Sequence, residues 1–272
     1  MNKITTVQGV EVPSLGYGTF RLSDEECERG VEHALSVGYR HVDTAQAYGN
    51  EDRVGAGMET AGVPREEVFL TTKLQSDSVQ RDRVGPSTDE SLRKLRTDYV
   101  DLLLIHWPSD EVPMAETLEA MRELRDAGKV RHVGVSNFPR SLVEQAMEHA
   151  TIFCDQVEYH PFLGQKTLLG LAVEHDFLLA AFAPLAQGKV MSDPTLEEIA
   201  ASHGATAAQV ALRWLIAQDH VAAVFKATSP ERIEMNFDAL ELNLSDEELR
   251  RIDGLERGER VVDPPFAPDW EE

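Results

Sequence analysis

Two hydrophobic rhythms take turns along this chain. Short, nearly continuous apolar runs rich in β-formers stand at residues 13–19, 41–44, 68–73, 100–106, 130–136, 153–159, 178–183 and 221–226. Between them lie amphipathic stretches with helical spacing, such as 50–61, 117–127, 141–150, 166–175 and 206–218. A first helix opens at Ser23-Asp24-Glu25-Glu26, where Ser23 followed three residues later by Glu26 has the capping-box pattern. Strands that read apolar on both faces, alternating with helices, predict a parallel sheet covered by helices. Eight such units in one chain favour closure into a (β/α)₈ TIM barrel, an α/β fold that takes roughly 250 residues. An open doubly wound sheet is the competing architecture. It would carry G-x-G-x-x-G after its first strand, and Gly16-Tyr17-Gly18 does not continue that way. An N-terminal hairpin, 5–7 and 10–12 across Gln8-Gly9, is expected to plug the barrel floor. No linker or repeat interrupts the pattern, so 1–272 reads as one domain.

Composition narrows the partners. The longest apolar stretch, around 177–186, is cut by Pro184 and falls short of the roughly 20 residues that span a bilayer. Met1-Asn2-Lys3-Ile4-Thr5-Thr6 holds no signal core, so a cytoplasmic protein away from membranes is expected. The 48 acidic residues against 26 basic ones, net −22, repel nucleic acid and anionic lipid. Lysine occurs only at 3, 73, 94, 129, 166, 189 and 226. A carboxylate-rich, lysine-poor surface points to halophilic adaptation, because strong screening removes self-repulsion. Cys27 and Cys154 match no metal-ligand spacing and read as buried free thiols. Nothing resembles a coiled-coil seam or a long edge strand, and a monomer is expected.

The informative polar residues fall at the ends of strands. Asp43 lies near the end of the second run, Tyr48 in the loop after it, Lys73 ends the third and His106 the fourth. In a (β/α)₈ barrel these ends open onto the face where active sites lie. Each residue has an ordinary use: a loop-start hydrogen bonder, a rim aromatic, a solvated strand end, a core histidine. Together they fit one chemistry. A phenol donates its proton poorly near neutral pH. A nearby ammonium stabilises the phenolate, a carboxylate holds the ammonium, and an imidazole orients a carbonyl oxygen.

Three segments carry a family resemblance: 40–51 (RHVDTAQAYGNE), 70–73 (LTTK) and 98–108 (DYVDLLLIHWP). Through them the chain resembles the aldo-keto reductase superfamily over essentially its full length. The resemblance implies a catalytic tetrad of Asp43, Tyr48, Lys73 and His106, with Tyr48 as general acid made more acidic by Lys73. The implied reaction is the reduction of small aldehydes or ketones, with NADPH/NADP as cofactor.

The cofactor residues also follow from the resemblance. Ser136 and Asn137, in Val133-Gly134-Val135-Ser136-Asn137-Phe138, are expected to hold the nicotinamide carboxamide, with Gln156 adding a third amide contact and Thr19 and Asp43 beside them. Phe182 stands where the family has a stacking Tyr, and Ala183 replaces a usual Ser. Backbone of Leu185 to Gly188 is expected to embrace the diphosphate. Lys226 and Arg232 would clamp a 2′-phosphate, with Thr228 and Asn236 nearby. Ala227 and Met235 depart from the usual Ser and Glu there.

Phe20, Trp107 and Trp270 are expected to wall the substrate pocket beside His106, under a proline-stiffened tail at 264–270. The short connection after His106 resembles the compact prokaryotic branch that includes 2,5-diketo-gluconate reductases. Two rivals stay open. A metal-dependent hydrolase is disfavoured because the nine His are dispersed, without H-x-H or H-E-x-x-H; no bound metal is expected. A reductase-like module that senses cofactor without turnover would have no need of Tyr48 and His106 together.

Overall fold

The computed structural model describes residues 3–270. It opens with a hairpin, β1 (Ile4–Val7) and β2 (Val10–Pro13), paired antiparallel. Eight parallel strands follow: β3 (Leu15–Gly18), β4 (His41–Asp43), β5 (Phe69–Leu74), β6 (Val100–Ile105), β7 (Val130–Ser136), β8 (Cys154–Glu158), β9 (Leu178–Phe182) and β10 (Val221–Phe225). They pair in chain order, and β10 returns to β3 to close the barrel. The helices around it are α1 (Asp24–Val37), α2 (Glu51–Ala61), α3 (Arg81–Leu95), α4 (Met114–Asp126), α5 (Arg140–Met147), α6 (Lys166–His175), α7 (Pro194–His203), α8 (Ala207–Ala217), α9 (Pro230–Phe237) and α10 (Asp246–Asp253). The fold is a (β/α)₈ TIM barrel.

One boundary differs from the sequence pattern. The run at 13–19 is not one strand: Pro13 pairs with Ile4 in the hairpin, and β3 starts at Leu15. Proline has no N–H to give a central ladder, so it belongs on the two-stranded edge. The backbone of Ser14, between the two sheets, links Lys3 and Ala223.

The hairpin forms the floor. Val7 and Val12 are fully buried and pack with Phe69, Leu102, Phe153, Cys154, Leu178 and Ala222, all at or near strand starts. Burying each valine contributes about 1.5–3 kcal/mol relative to leaving it exposed. Gln8 pins the turn by donating its backbone N–H to Asp176 and its side-chain amide to Ile152 O, in the loops before β9 and β8. A larger apolar cluster fills the space between strands and helices. Cys27 and Cys154 are free and buried. Among the described residues no helix is long and apolar enough to cross a membrane, and no group of His, Cys, Asp or Glu is placed to hold a metal.

Candidate active site

Strand geometry brings the polar residues to one place. Side chains alternate faces along a strand, so every second residue shares the inner face. Counting up by twos from the floor residues Phe69, Leu102, Cys154 and Leu178 reaches Lys73, His106, Gln156 with Glu158, and Phe182. Each column starts apolar at the floor and ends in a hydrogen-bonding or aromatic group at the mouth. Asp43 closes β4, and a single 3₁₀ turn, Gln46–Tyr48, carries Tyr48 back over the opening. That turn ends at Gly49, whose φ of 69° is left-handed and costs glycine nothing.

Lys73 is fully buried, and its ammonium has three acceptors. Nζ donates to Asp43 Oδ1 at 2.5 Å, to Thr44 O at 2.9 Å and to the Tyr48 hydroxyl at 3.4 Å. Three protons on three acceptors is full satisfaction, without which a buried cation would not persist. The Tyr48 ring meets the edge of His106 at a centroid distance of 5.7 Å. Thr19 ties in the neighbouring loop by donating to the Thr44 hydroxyl at 2.9 Å, while Asn50 donates to Thr19 O at 2.9 Å.

The ionisation pattern corrects one expectation. Burial raises the Tyr48 pKa above the ordinary phenol value; Lys73 pulls it down and Asp43 pushes it up, and the net direction is up. Lys73 therefore limits the rise and does not make the phenol more acidic than in water. Burial alone would lower the Lys73 pKa, but Asp43 and Tyr48 together outweigh it and the ammonium is held above its usual value. Burial, then the charge of Lys73, pushes His106 down to about 3, so its imidazole is neutral at working pH. The mouth thus holds a protonated phenol, an ammonium and a neutral imidazole.

A cluster of amides sits beside them. Ser136 donates to Gln156 O at 2.7 Å, Asn137 donates to His106 O at 2.9 Å and to the Ser136 hydroxyl at 3.1 Å, and Gln156 donates to Asp43 Oδ2 at 2.7 Å. These donors are spent, whereas Asn137 Oδ1 is buried with no partner. Leaving such an acceptor unpaired costs about 1–3 kcal/mol, and an arriving N–H₂ group would relieve it. Asn137 also holds a left-handed φ of 62°.

After β9 the backbone is strained again. Ala183, Ala186 and Gln187 have φ of 49°, 47° and 53°, ahead of Gly188 at 95°. A left-handed non-glycine residue costs on the order of 1–2 kcal/mol, and clustering of such residues is typical of ligand-binding loops. The segment after β10 is anchored by two buried phenols. Tyr17 donates to Ala227 O at 2.7 Å and Tyr39 to Ile233 O at 3.0 Å. Lys226 just before the first anchor, and Thr228 and Arg232 between the two, are exposed, and neither cation closes an ion pair among the described residues; Asn236 is buried in α9.

Comparison with known proteins decides the family. The model of the aldo/keto reductase family matches residues 14–257. The chain belongs to this family. It is 40% identical over 266 residues to the methylglyoxal reductase DkgB of Escherichia coli O157:H7, covering 96% of this chain and 99% of that protein. It is 41% identical over 260 residues to an aldo-keto reductase of Mycobacterium avium (strain 104), covering 94% and 91%. Among solved structures, one assigned as a 2,5-diketo-D-gluconic acid reductase B superposes with a TM-score of 0.97 at 47% identity, covering 100% of this chain and 98% of the other.

Around the mouth of this aldo-keto reductase stands a broken ring of aromatics. Phe20 packs on Tyr48 at 5.0 Å between centroids, and Arg21 lies over its outer face. Across the opening, Trp107 meets Phe266 at 5.3 Å and Trp270 at 6.3 Å. Phe20 and Phe266 are 51% and 65% exposed, a rim of apolar surface suited to a partly apolar ligand. Phe266 was not singled out by sequence, although it stands in the proline-stiffened tail. The anchoring phenols Tyr17 and Tyr39 carried no signal beyond strand-like flanks. Glu158 is another surprise: its carboxylate is buried and accepts the backbone N–H groups of Val261 and Val262.

Proposed function

We propose that the chain reduces small aldehydes and ketones to alcohols with NADPH, and that Tyr48 is the proton donor. The observation that carries this reading is the Tyr48 hydroxyl at the barrel mouth, 3.4 Å from a fully buried, fully satisfied Lys73 ammonium. The names of the relatives agree with carbonyl reduction.

The residues present fit a nicotinamide dinucleotide phosphate. Asn137 Oδ1 needs a donor, which a carboxamide N–H₂ supplies, and Ser136 and Gln156 border the same spot. Phe182 offers an aromatic face, and the strained turn from Leu185 to Gly188, in which the Ala186 and Gly188 N–H groups close on Ala183 O and Leu185 O, would lay its remaining backbone along the phosphates. Lys226 and Arg232, without an ion-pair partner among the described residues of a chain of net charge −22, suit a 2′-phosphate, with Thr228 and Asn236 alongside. Bound there, NADPH supplies the hydride.

The chain's own groups handle the oxygen. His106, neutral, donates a hydrogen bond that holds the carbonyl oxygen near Tyr48. As the carbon gains hydride, the oxygen takes the Tyr48 proton and an alcohol forms. Lys73 stabilises the phenolate left behind, Asp43 keeps Lys73 charged, and water then returns the proton. A phenol whose pKa is raised is fully protonated at neutral pH, the form that reduction requires. Phe20, Trp107 and Trp270 exclude water from one side of the substrate.

The test is a panel of small aldehydes, ketoacids and diketones with NADPH and with NADH, in low and high KCl. Consumption of NADPH with matching alcohol formation is expected. Tight NADPH binding with no turnover under any condition would establish the cofactor-sensing alternative. We assign the acidic, lysine-poor surface to life in high salt and the working form to a cytoplasmic monomer.

A further inference from the structure

Glu158, the last residue of β8, bonds to none of the residues assigned above to proton transfer or cofactor binding, yet it is buried at the mouth. Oε1 accepts the Val261 N–H at 2.6 Å and lies 2.9 Å from His160 Nε2, and Oε2 accepts the Val262 N–H at 2.8 Å. His160 is fully buried too, while Val261 and Val262 are half-buried at the edge of the mouth. Two consecutive backbone N–H groups on one carboxylate hold a chain segment in both position and direction.

That segment is a strap. Upstream of the latch, the Arg257 and Glu259 N–H groups both donate to Phe162 O, and the Arg257 guanidinium lies 3.8 Å over the Phe162 ring. Sideways, Gln187 donates to Val261 O at 3.0 Å, and Lys189 pairs with Glu259. These contacts tie the strap to the strained turn read above as the diphosphate loop. Downstream, Trp270 donates to Asp263 at 3.0 Å, the Arg260 guanidinium lies 3.7 Å over Trp270, and Trp270 and Phe266 pack on Trp107.

We infer that Glu158 is a positioning residue of the reductase: it latches one strap that serves both as the outer wall of the carbonyl pocket, through Phe266 and Trp270, and as the brace of the cofactor loop, through Gln187 and Lys189. This rests on the reading of the site given under Proposed function. The effect on carbonyl binding runs through the tail aromatics, and the effect on cofactor runs through the loop; the two are separable.

The variant is Glu158→Gln in the full-length chain. Glutamine keeps the size but offers one acceptor oxygen, and its amide donor would face a backbone N–H, so one of the two N–H groups loses its partner. Hydrogen exchange at Val261 and Val262 is expected to speed up by about tenfold or more. KM for a bulky aromatic aldehyde is expected to rise about tenfold, outweighing any fall in kcat, with NADPH affinity weakened about threefold. The same substitution made on a Phe266→Ala/Trp270→Ala background should no longer change the carbonyl KM, while its effect on NADPH affinity persists.

Unchanged exchange at the two valines overturns the latch. A KM effect that survives loss of both aromatics overturns its route. Wild-type protein that turns over no carbonyl sinks the functional reading instead, and the exchange measurement still judges the latch.

Discussion

Gln156 donates its side-chain amide to Oδ2 of Asp43 across 2.7 Å, while Oδ1 of the same carboxylate accepts the Lys73 ammonium. One buried carboxylate therefore orients both the proton relay and the amide cluster. Removing its charge should disturb both at once. Asp43→Asn leaves Lys73 as an uncompensated buried cation, a change that costs about 3–5 kcal/mol. Urea denaturation should show a loss in that range, with carbonyl turnover sharply reduced. A stability change within experimental error would mean that Lys73 finds its compensation elsewhere.

Tyr48→Phe keeps the ring that packs on Phe20 and His106 and removes only the hydroxyl. Turnover is expected to fall by about 10²- to 10⁴-fold, the range for a lost general acid. NADPH affinity, followed by quenching of tryptophan fluorescence, should stay nearly constant. A matching loss of cofactor affinity would assign the hydroxyl to binding.

Arg232 is exposed at the start of α9 without an ion-pair partner among the described residues. Arg232→Ala should weaken NADPH by about tenfold and leave NADH nearly untouched. Titration with both nucleotides checks this. Equal weakening of the two would place Arg232 away from the 2′-phosphate.

The depressed His106 pKa, about 3 against an ordinary value of 6.5, has a definite sign for stability. The folded protein prefers the neutral ring, while the unfolded chain takes up a proton once pH drops below its ordinary value. Stability from this group is complete above about pH 6.5 and declines progressively as pH falls toward about 3. His41 is shifted in the same direction by burial and adds to the trend. His106→Gln should make the fall of Tm between pH 7 and pH 5 shallower than in the wild type. An identical slope would mean that the ring stays solvated.

Most of the fold was legible because its signals are local. Apolar runs locate seven of the eight barrel strands closely, the capping box at Ser23 and Glu26 opens α1, and the helical stretches at 50–61 and 206–218 form α2 and α8. Helix α3 was not legible: Pro86 stands inside it, and its stretch is rich in charge and poor in apolar residues. Packing against α2 and α4 holds it in place despite that composition. Within the site, Asp43, Lys73 and His106 were readable from their places at strand ends. Glu158 reads in sequence as a polar residue in an apolar run, and the two valines whose N–H groups it accepts lie more than a hundred residues away. Lys73 does pull the Tyr48 pKa down, but the net direction is not legible in sequence for a similar reason, since the weight of burial against Lys73 is a property of the assembled mouth.

The surface charge gives a bulk prediction. At −22, self-repulsion opposes folding in dilute buffer and is screened within about 3 Å at 1 M salt. Tm should climb steadily from low to molar KCl. A flat curve would remove the assignment to high salt.

The valine-lined hairpin beneath the strands has a consequence for how such a molecule can change over time. With the bottom closed by Val7 and Val12, every small molecule that reaches the interior must arrive and depart through the opposite end. Residues that hold the barrel shut and residues that discriminate among visitors therefore occupy separate storeys. Loops at the upper storey are free to be rewritten for new carbonyl compounds while the foundation stays as it is.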